Sequence, residues 1–353
     1  LQSFLRWVGL VILETFRLNI LLTGGLGYVG SHVAVVLTEA GHQVTILDNL
    51  SNCKHAVLDR LTKILGKEPT FIKGDVRETS LVESILKTHS IDSVVHFAGL
   101  KSVGESVLDP MLYYNNNLIG AISVLKAMQL CRVKKFVFSS SATVYGSPQY
   151  LPIDEMHPLN PESPYGKTKL QIELILRDLV ASDSGWKVVA LRYFNPVGAH
   201  DSGLIGEEPN GTPNNLMPYI SQVAIGALKR LKIFGSDYET LDGTGIRDYI
   251  HVMDLAEGHQ AALEYLSEPS EPLSIINLGT GYGCSVLDLL KLYEIASSRR
   301  IPFEVTERRP GDIASCYANA DKAFKRMGWK SKRSLKNMCE DSWKWQMSQA
   351  LKK

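Results

Sequence analysis

Leu18-Asn19-Ile20-Leu21-Leu22-Thr23-Gly24-Gly25-Leu26-Gly27-Tyr28-Val29-Gly30 is a short apolar run that passes straight into glycines at 24, 27 and 30. The run predicts a buried strand, and Ser31-His32-Val33-Ala34-Val35-Val36-Leu37 continues with helix-like apolar spacing. A helix that opens directly after a strand offers its N-terminus to a phosphate. Gly24 is expected to turn the chain tightly, Gly27 to let backbone approach a pyrophosphate, and Gly30 to let the helix pack on the sheet. The Gly-x-x-Gly-x-x-Gly spacing is not the commonest form, and glycines alone also serve plain turns. Asp48 tips the reading: it closes the next strand, Gln43 to Asp48, 24 residues beyond Gly24. A carboxylate there suits an adenosine ribose with both hydroxyls free, NAD rather than NADP.

Outward from this unit, strands and helices alternate. A polar turn from Asn49 leads to a helix ending near Leu65, and Thr70 to Asp75 reads as a third strand ending on an acid. Asp75 is there a neighbour for adenine or a turn cap. Ser93 to Gly99 is a fourth strand whose small terminal residues let a cofactor lie close, and Lys101 follows. Asn116 precedes a helix from Leu118 to Leu130, as a cofactor-orienting group or a cap. Lys134 to Gly146 reads as a further strand that finishes in hydroxyls, and its Ser139-Ser140-Ser141 suit a substrate rich in hydroxyl groups.

Ser163-Pro164-Tyr165-Gly166-Lys167-Thr168-Lys169 opens a further helix. Tyr165 and Lys169, four apart, share its face, while Lys167 points elsewhere. Such a pair is surface decoration in many helices, but behind a dinucleotide unit and a serine-rich strand it reads as chemistry. A neighbouring ammonium and a positive nicotinamide ring are expected to lower the phenol's pKa toward neutrality. Trp186 to Asn195 is one more strand, after which the alternation loosens. Gly198 to Asn215 is expected to form an ordered loop over the substrate, Leu241 to Asp248 a second loop carrying Arg247, and Leu273 to Gly279 a late strand. Arg308 and Arg309 offer a diphosphate clamp or mere surface charge.

Composition excludes several classes. The 353 residues can bury a large core, as one unit or two domains. Net charge of +1 and 21% charged residues give no reason to expect nucleic acid as a partner. The five cysteines, Cys53, Cys131, Cys284, Cys316 and Cys339, are odd in number and lack metal-ligand spacing. No metal site is expected, and a reducing, cytoplasmic setting fits better than a disulfide framework. Within residues 1–17, Trp7 to Leu13 is apolar, but Glu14 and Arg17 end the run before it could span a bilayer. They read as an inert extension or altered start, a packed helix, or a targeting segment.

Together these stretches resemble the UDP-glucose (UDP-galactose) 4-epimerase family of the extended short-chain dehydrogenases/reductases, from about Asn19 to Trp345. The epimerase wording lies in Arg192 to His200, Pro213 to Pro218 and Gly243 to His251, beyond the superfamily's glycine and Tyr-Lys motifs. Related dehydratases carry an acidic pair after a threonine where this chain has Ala142-Thr143-Val144. The resemblance implies an α/β fold, a Rossmann-type doubly wound parallel sheet with a smaller mixed α/β substrate domain. Residues 18–195 would form the NAD domain and 196–353 mainly the UDP-sugar domain, with some segments returning to the first.

It further implies an NAD-dependent isomerase in which Tyr165 takes the 4-hydroxyl proton, Ser141 relays it, and Lys169 holds the nicotinamide ribose. The products of that half-reaction are a 4-keto sugar and bound NADH. Gly24, Gly27, Tyr28, Gly30, Asp48, Asn49, Asp75, Val76, Phe97, Ala98, Lys101 and Asn116, with Tyr165 and Lys169, would carry NAD. Ser141, Tyr165, Asn195, Asn215, Leu216, Arg247, Arg308, Asp312 and Cys316 would meet the UDP-sugar. Cys316 stands where restricted family members have a larger tyrosine, which implies room for N-acetylated sugars; alternatively it fills an apolar wall. Family members pair as homodimers through a four-helix interface, here the helices from Leu118 and Tyr165. A UDP-pentose 4-epimerase and a non-catalytic NAD or sugar-nucleotide sensor are the other readings.

Overall fold

The computed structural model describes residues 17–209, 213, 215–309 and 311–350. Of the N-terminal extension, all but Arg17 lies outside the described residues. Seven parallel strands form the main sheet: β1 (Asn19–Thr23), β2 (Gln43–Asp48), β3 (Thr70–Lys73), β4 (Ser93–His96), β5 (Lys135–Ser141), β6 (Lys187–Tyr193) and β7 (Leu273–Leu278). Their order is β7-β6-β5-β4-β1-β2-β3, so the winding reverses between β1 and β4. The carboxyl ends of those two strands are the place where such sheets bind ligands.

The strands are apolar on both faces because helices cover both. Ile20 and Leu22 pack with α1 (Tyr28–Glu39), α2 (Ala56–Leu65) and α7 (Val252–Tyr265). Leu21, between them, faces the other layer, made by α3 (Thr79–Thr88), α4 (Ile119–Cys131) and α5 (Pro164–Ser182). A smaller mixed unit has its own core, in which α6 (Leu216–Ala224), α8 (Val286–Ser297) and α9 (Leu335–Ala350) pack around Leu231 and Ile233. Its short strands include a parallel pair, Leu231–Phe234 with Phe303–Thr306. Among the described residues no helix is long and apolar enough to cross a membrane.

Several strands stop earlier than their sequences imply. β3 ends at Lys73, two residues before Asp75, and β5 yields to a 3₁₀ turn over Ala142–Val144. The expected loop around Arg247 contains the short strand Ile246–Arg247, pinned between Cys284–Ser285 and Ser315–Cys316.

Candidate active site

Gly24 turns at φ +70°, and a Cβ there would lie 2.7 Å from the Ala98 nitrogen. Only glycine therefore lets the ends of β1 and β4 close on each other. A Cβ on Gly30 would come within 2.4 Å of the Gly24 oxygen. The tight contact at Gly30 is thus with the glycine loop rather than with the sheet; Gly25 is the glycine that meets Ile46 and Leu22 from β2 and β1. α1 starts after Gly27 with no side-chain cap and no acid in its first turn, which leaves its N-terminus suited to an anion. Buried Asp48 accepts from Leu26 N at 3.1 Å and Leu50 N at 2.9 Å, so it braces the same loop. A cradle without side chains, a bare helix end and a carboxylate on the next strand fit a dinucleotide.

Around this cradle, Asn49 donates to Asp75 at 3.1 Å. Arg77 grips Asp75 with two bonds of 2.9 and 2.8 Å and holds its carboxyl down to about 2. The turn-bracing role therefore occupies Asp75. Val76 is buried beneath Gly120, and Phe97 leans on His259 with ring centres 4.9 Å apart. Asn116 sits inside a π turn, Tyr114–Leu118, which removes its capping role; such turns recur at functional sites. Its neighbour Asn117, not marked in the sequence, is buried and clamps Leu100 through N–H at 2.8 Å and oxygen at 3.0 Å.

The loop from Gly198 is placed differently from expectation. Tyr28 donates to the Gly198 oxygen at 2.7 Å, and Glu207 receives both Lys101 and Asn215 at 2.6 Å. Lys54 and Arg60 both pair with Glu208. Its described part thus lies on the dinucleotide motif rather than over the substrate alone. Glu207 carried no sequence signal, because its partner Lys101 comes from a separate stretch of the chain.

α5 begins at a Ser163 cap that accepts from Gly166 N at 3.1 Å, one residue after Tyr165. Lys169 is buried one turn on and donates to the Ser139 carbonyl at 2.6 Å, with its nitrogen 5.8 Å from the Tyr165 ring centre. Lys167 is exposed. Burial pulls Lys169 down to about 8, against the carboxylate of Glu173. Burial also pushes the Tyr165 phenol above its ordinary value, opposed by the Ser141 hydroxyl beside it. Among the protein's own groups, burial disfavours the phenolate and Lys169 directs its proton to a backbone carbonyl. The serine run is corrected too. Ser140 turns inward to Glu173 at 2.5 Å and the Ser139 carbonyl serves Lys169, so Ser141 alone of the three meets Tyr165.

Facing it, Asn195 is exposed and Leu216 opens α6. Arg247 binds the Ile313 carbonyl at 2.9 Å and stands 3.9 Å from Asp312, which Arg309 reaches at 3.0 Å. Arg308 is held by Asp237 at 2.7 Å over the Tyr238 ring. Both exposed guanidiniums therefore have carboxylate partners. Cys316 is buried in an apolar wall with Val144, Phe194 and Ala142, and burial pushes its thiol to about 11.

A family profile described as GDP-mannose 4,6-dehydratase matches residues 21–342. A Bacillus subtilis protein named UDP-glucose 4-epimerase is 54% identical over 329 residues, 93% of this chain and 97% of its own. The crystal structure of a UDP-glucose 4-epimerase from Stenotrophomonas maltophila with NAD and formylated UDP-arabinopyranose is 47% identical and superposes with a TM-score of 0.93, covering 95% of this chain and all of the other. A Bifidobacterium longum UDP-glucose 4-epimerase with NAD+ and UDP gives 48% and 0.91, covering 94% and 99%.

Proposed function

The chain belongs to the UDP-glucose 4-epimerase family of the extended short-chain dehydrogenases/reductases, and from that membership we propose that it interconverts UDP-glucose and UDP-galactose by inverting C4. The observation that carries the reading is the meeting of Tyr165, Lys169 and Ser141 on the sheet edge that also holds the glycine cradle. That cradle, with Asp48, Phe97, Ala98, Lys101 and Asn116, would hold NAD, which when bound would supply acceptance and return of hydride at C4 and a positive ring charge.

The chain's own groups manage the proton. Tyr165 as phenolate takes the proton of the 4-hydroxyl, Ser141 hydrogen-bonds the same oxygen, and the Lys169 ammonium favours the phenolate. Asn195, Asn215, Leu216, Arg247, Arg308 and Asp312 hold UDP, with guanidiniums suited to a diphosphate. The hexose, held less firmly, turns its other face inward as a 4-keto sugar, and Tyr165 returns the proton. Residues 18–195 act as the dinucleotide domain and 196–353 mainly as the sugar-nucleotide domain, in a cytoplasmic enzyme.

Cys316 extends the range of substrates. Its small side chain on the wall beside Ala142 supports admission of UDP-GlcNAc and UDP-GalNAc. Coupled interconversion of UDP-galactose, UDP-GalNAc and UDP-arabinose tests the reading, with Tyr165→Phe and Cys316→Tyr beside the parent. Expected are turnover of the first two, loss of about 100-fold or more in Tyr165→Phe, and selective loss of UDP-GalNAc in Cys316→Tyr. Galactose-only turnover by the parent overturns the wider range; turnover of arabinose alone moves the assignment to a pentose; no turnover with NAD bound favours the sensor.

A further inference from the structure

Tyr165, Lys169 and Glu173 follow one another at intervals of four along α5 and so share the face that packs on β5 and β6. The last of the three has no part in the chemistry above, yet its side chain is only 2% exposed. A carboxylate so far from water persists only if its lone pairs are filled. Here they are. Ser140 donates to Oε1 at 2.5 Å, and Arg192, equally buried, donates to Oε1 at 3.0 Å and Oε2 at 2.6 Å. Ser140 and Arg192 are direct register partners on β5 and β6, so one carboxylate joins two strands and a helix at a point. The residues flanking Ser140 are the ones that meet the site: the Ser139 carbonyl takes Lys169, and the Ser141 hydroxyl meets Tyr165.

We propose that Glu173, clamped by Arg192 and Ser140, is a positioning residue that sets α5 against the Ser139–Ser141 strand end and keeps Tyr165, Lys169 and Ser141 in register. Its charge also faces Lys169. The groups around that ammonium are Tyr165 and Glu173 on α5, His96 on β4, and the Phe138 ring and Ser139 carbonyl on β5. His96 is buried and held neutral, with its pKa pulled to about 3. Among the described residues, Glu173 is the carboxylate whose charge raises Lys169. Without Glu173, Lys169 loses its proton at lower pH and Tyr165 ionises at higher pH.

The inference rests on the epimerase reading. It is tested in the NAD-loaded protein with Glu173→Gln, the charge-free pair Glu173→Met with Arg192→Leu, and Ser140→Ala. The pair avoids stranding a buried guanidinium and is expected to fold where the single variant is weakened. In the folded pair, kcat for UDP-galactose is expected to fall about tenfold with KM little changed. By ultraviolet difference titration against Tyr165→Phe, the Tyr165 phenolate is expected to form about one pH unit higher. Ser140→Ala should move both readouts the same way by less. Parent-like kcat and phenolate titration in the folded pair overturn the positioning role while leaving the epimerase assignment intact. A failure of the pair to fold in spite of removing both charges overturns it as well, by making the clamp a folding element. Absence of turnover in the parent defeats the epimerase reading instead, and the phenolate titration then decides the inference alone.

Discussion

Lys169 keeps its proton in surroundings that work against it, since burial draws it from the ordinary lysine range to about 8 while Glu173 pulls the other way. The ammonium is therefore present below about 8 and fades above it. If its charge favours the Tyr165 phenolate, kcat should decline on the alkaline side of that value. In Lys169→Arg the guanidinium does not titrate in this range. The variant should be slower overall but lack the alkaline limb, a difference that kcat–pH profiles of the two NAD-loaded proteins will reveal; an unchanged limb would sink the assignment. For stability the sign is opposite. The unfolded lysine keeps its proton to higher pH than the folded one, so folding is favoured as pH rises from about 8 toward the ordinary value.

At the scale of elements, the glycine loop makes a steric demand that differs by position. Gly30→Ala would drive a Cβ to 2.4 Å from the Gly24 oxygen, a backbone atom that cannot swing aside. A loss of about 1–3 kcal/mol, the usual cost of overpacking, is expected, with reduced NAD content after purification. Thermal unfolding and release of NAD on denaturation measure the two; parent-like values of both would show that the loop yields. This unit was readable in the primary structure because strand, glycines and carboxylate are local and regularly spaced, and so was the Tyr165–Lys169 face. The Glu173–Arg192 clamp was not readable, although Glu173 continues the same four-residue spacing, because its partner depends on the register of β5 with β6. Serine identity alone could not separate Ser141 from Ser140, since successive residues on a strand point to opposite faces. Glu207 was hidden because it joins Lys101, from a distant segment, to Asn215 nearby in the chain.

For the whole molecule, the helical layer over β4 and β5 has two characters. Its inner side buries Val124, Leu125 and Met128 of α4 and Ile172 and Leu176 of α5 against the sheet. Its outer side exposes Ile119, Ile122 and Leu130 of α4, Leu174 of α5, and Leu108 and Met111 just before them. Lys126, Arg177 and Asp178 are also exposed on these helices, but exposed apolar side chains in such number mark an association surface. An isologous pairing of α4 and α5 with the same helices of a second copy would cover it and make a four-helix interface. We expect the protein to sediment near twice its 39.1 kDa chain mass. Ile122→Lys with Leu174→Lys puts charges into that face without touching the inner layer, and should give a monomer that still carries NAD. A parent that sediments as a monomer, or a double variant that stays dimeric, would place the patch outside any such interface. Because Tyr165 lies on α5 itself, the dimer would also stiffen the helix that carries the proton chemistry. The monomeric variant should then lose kcat before it loses cofactor.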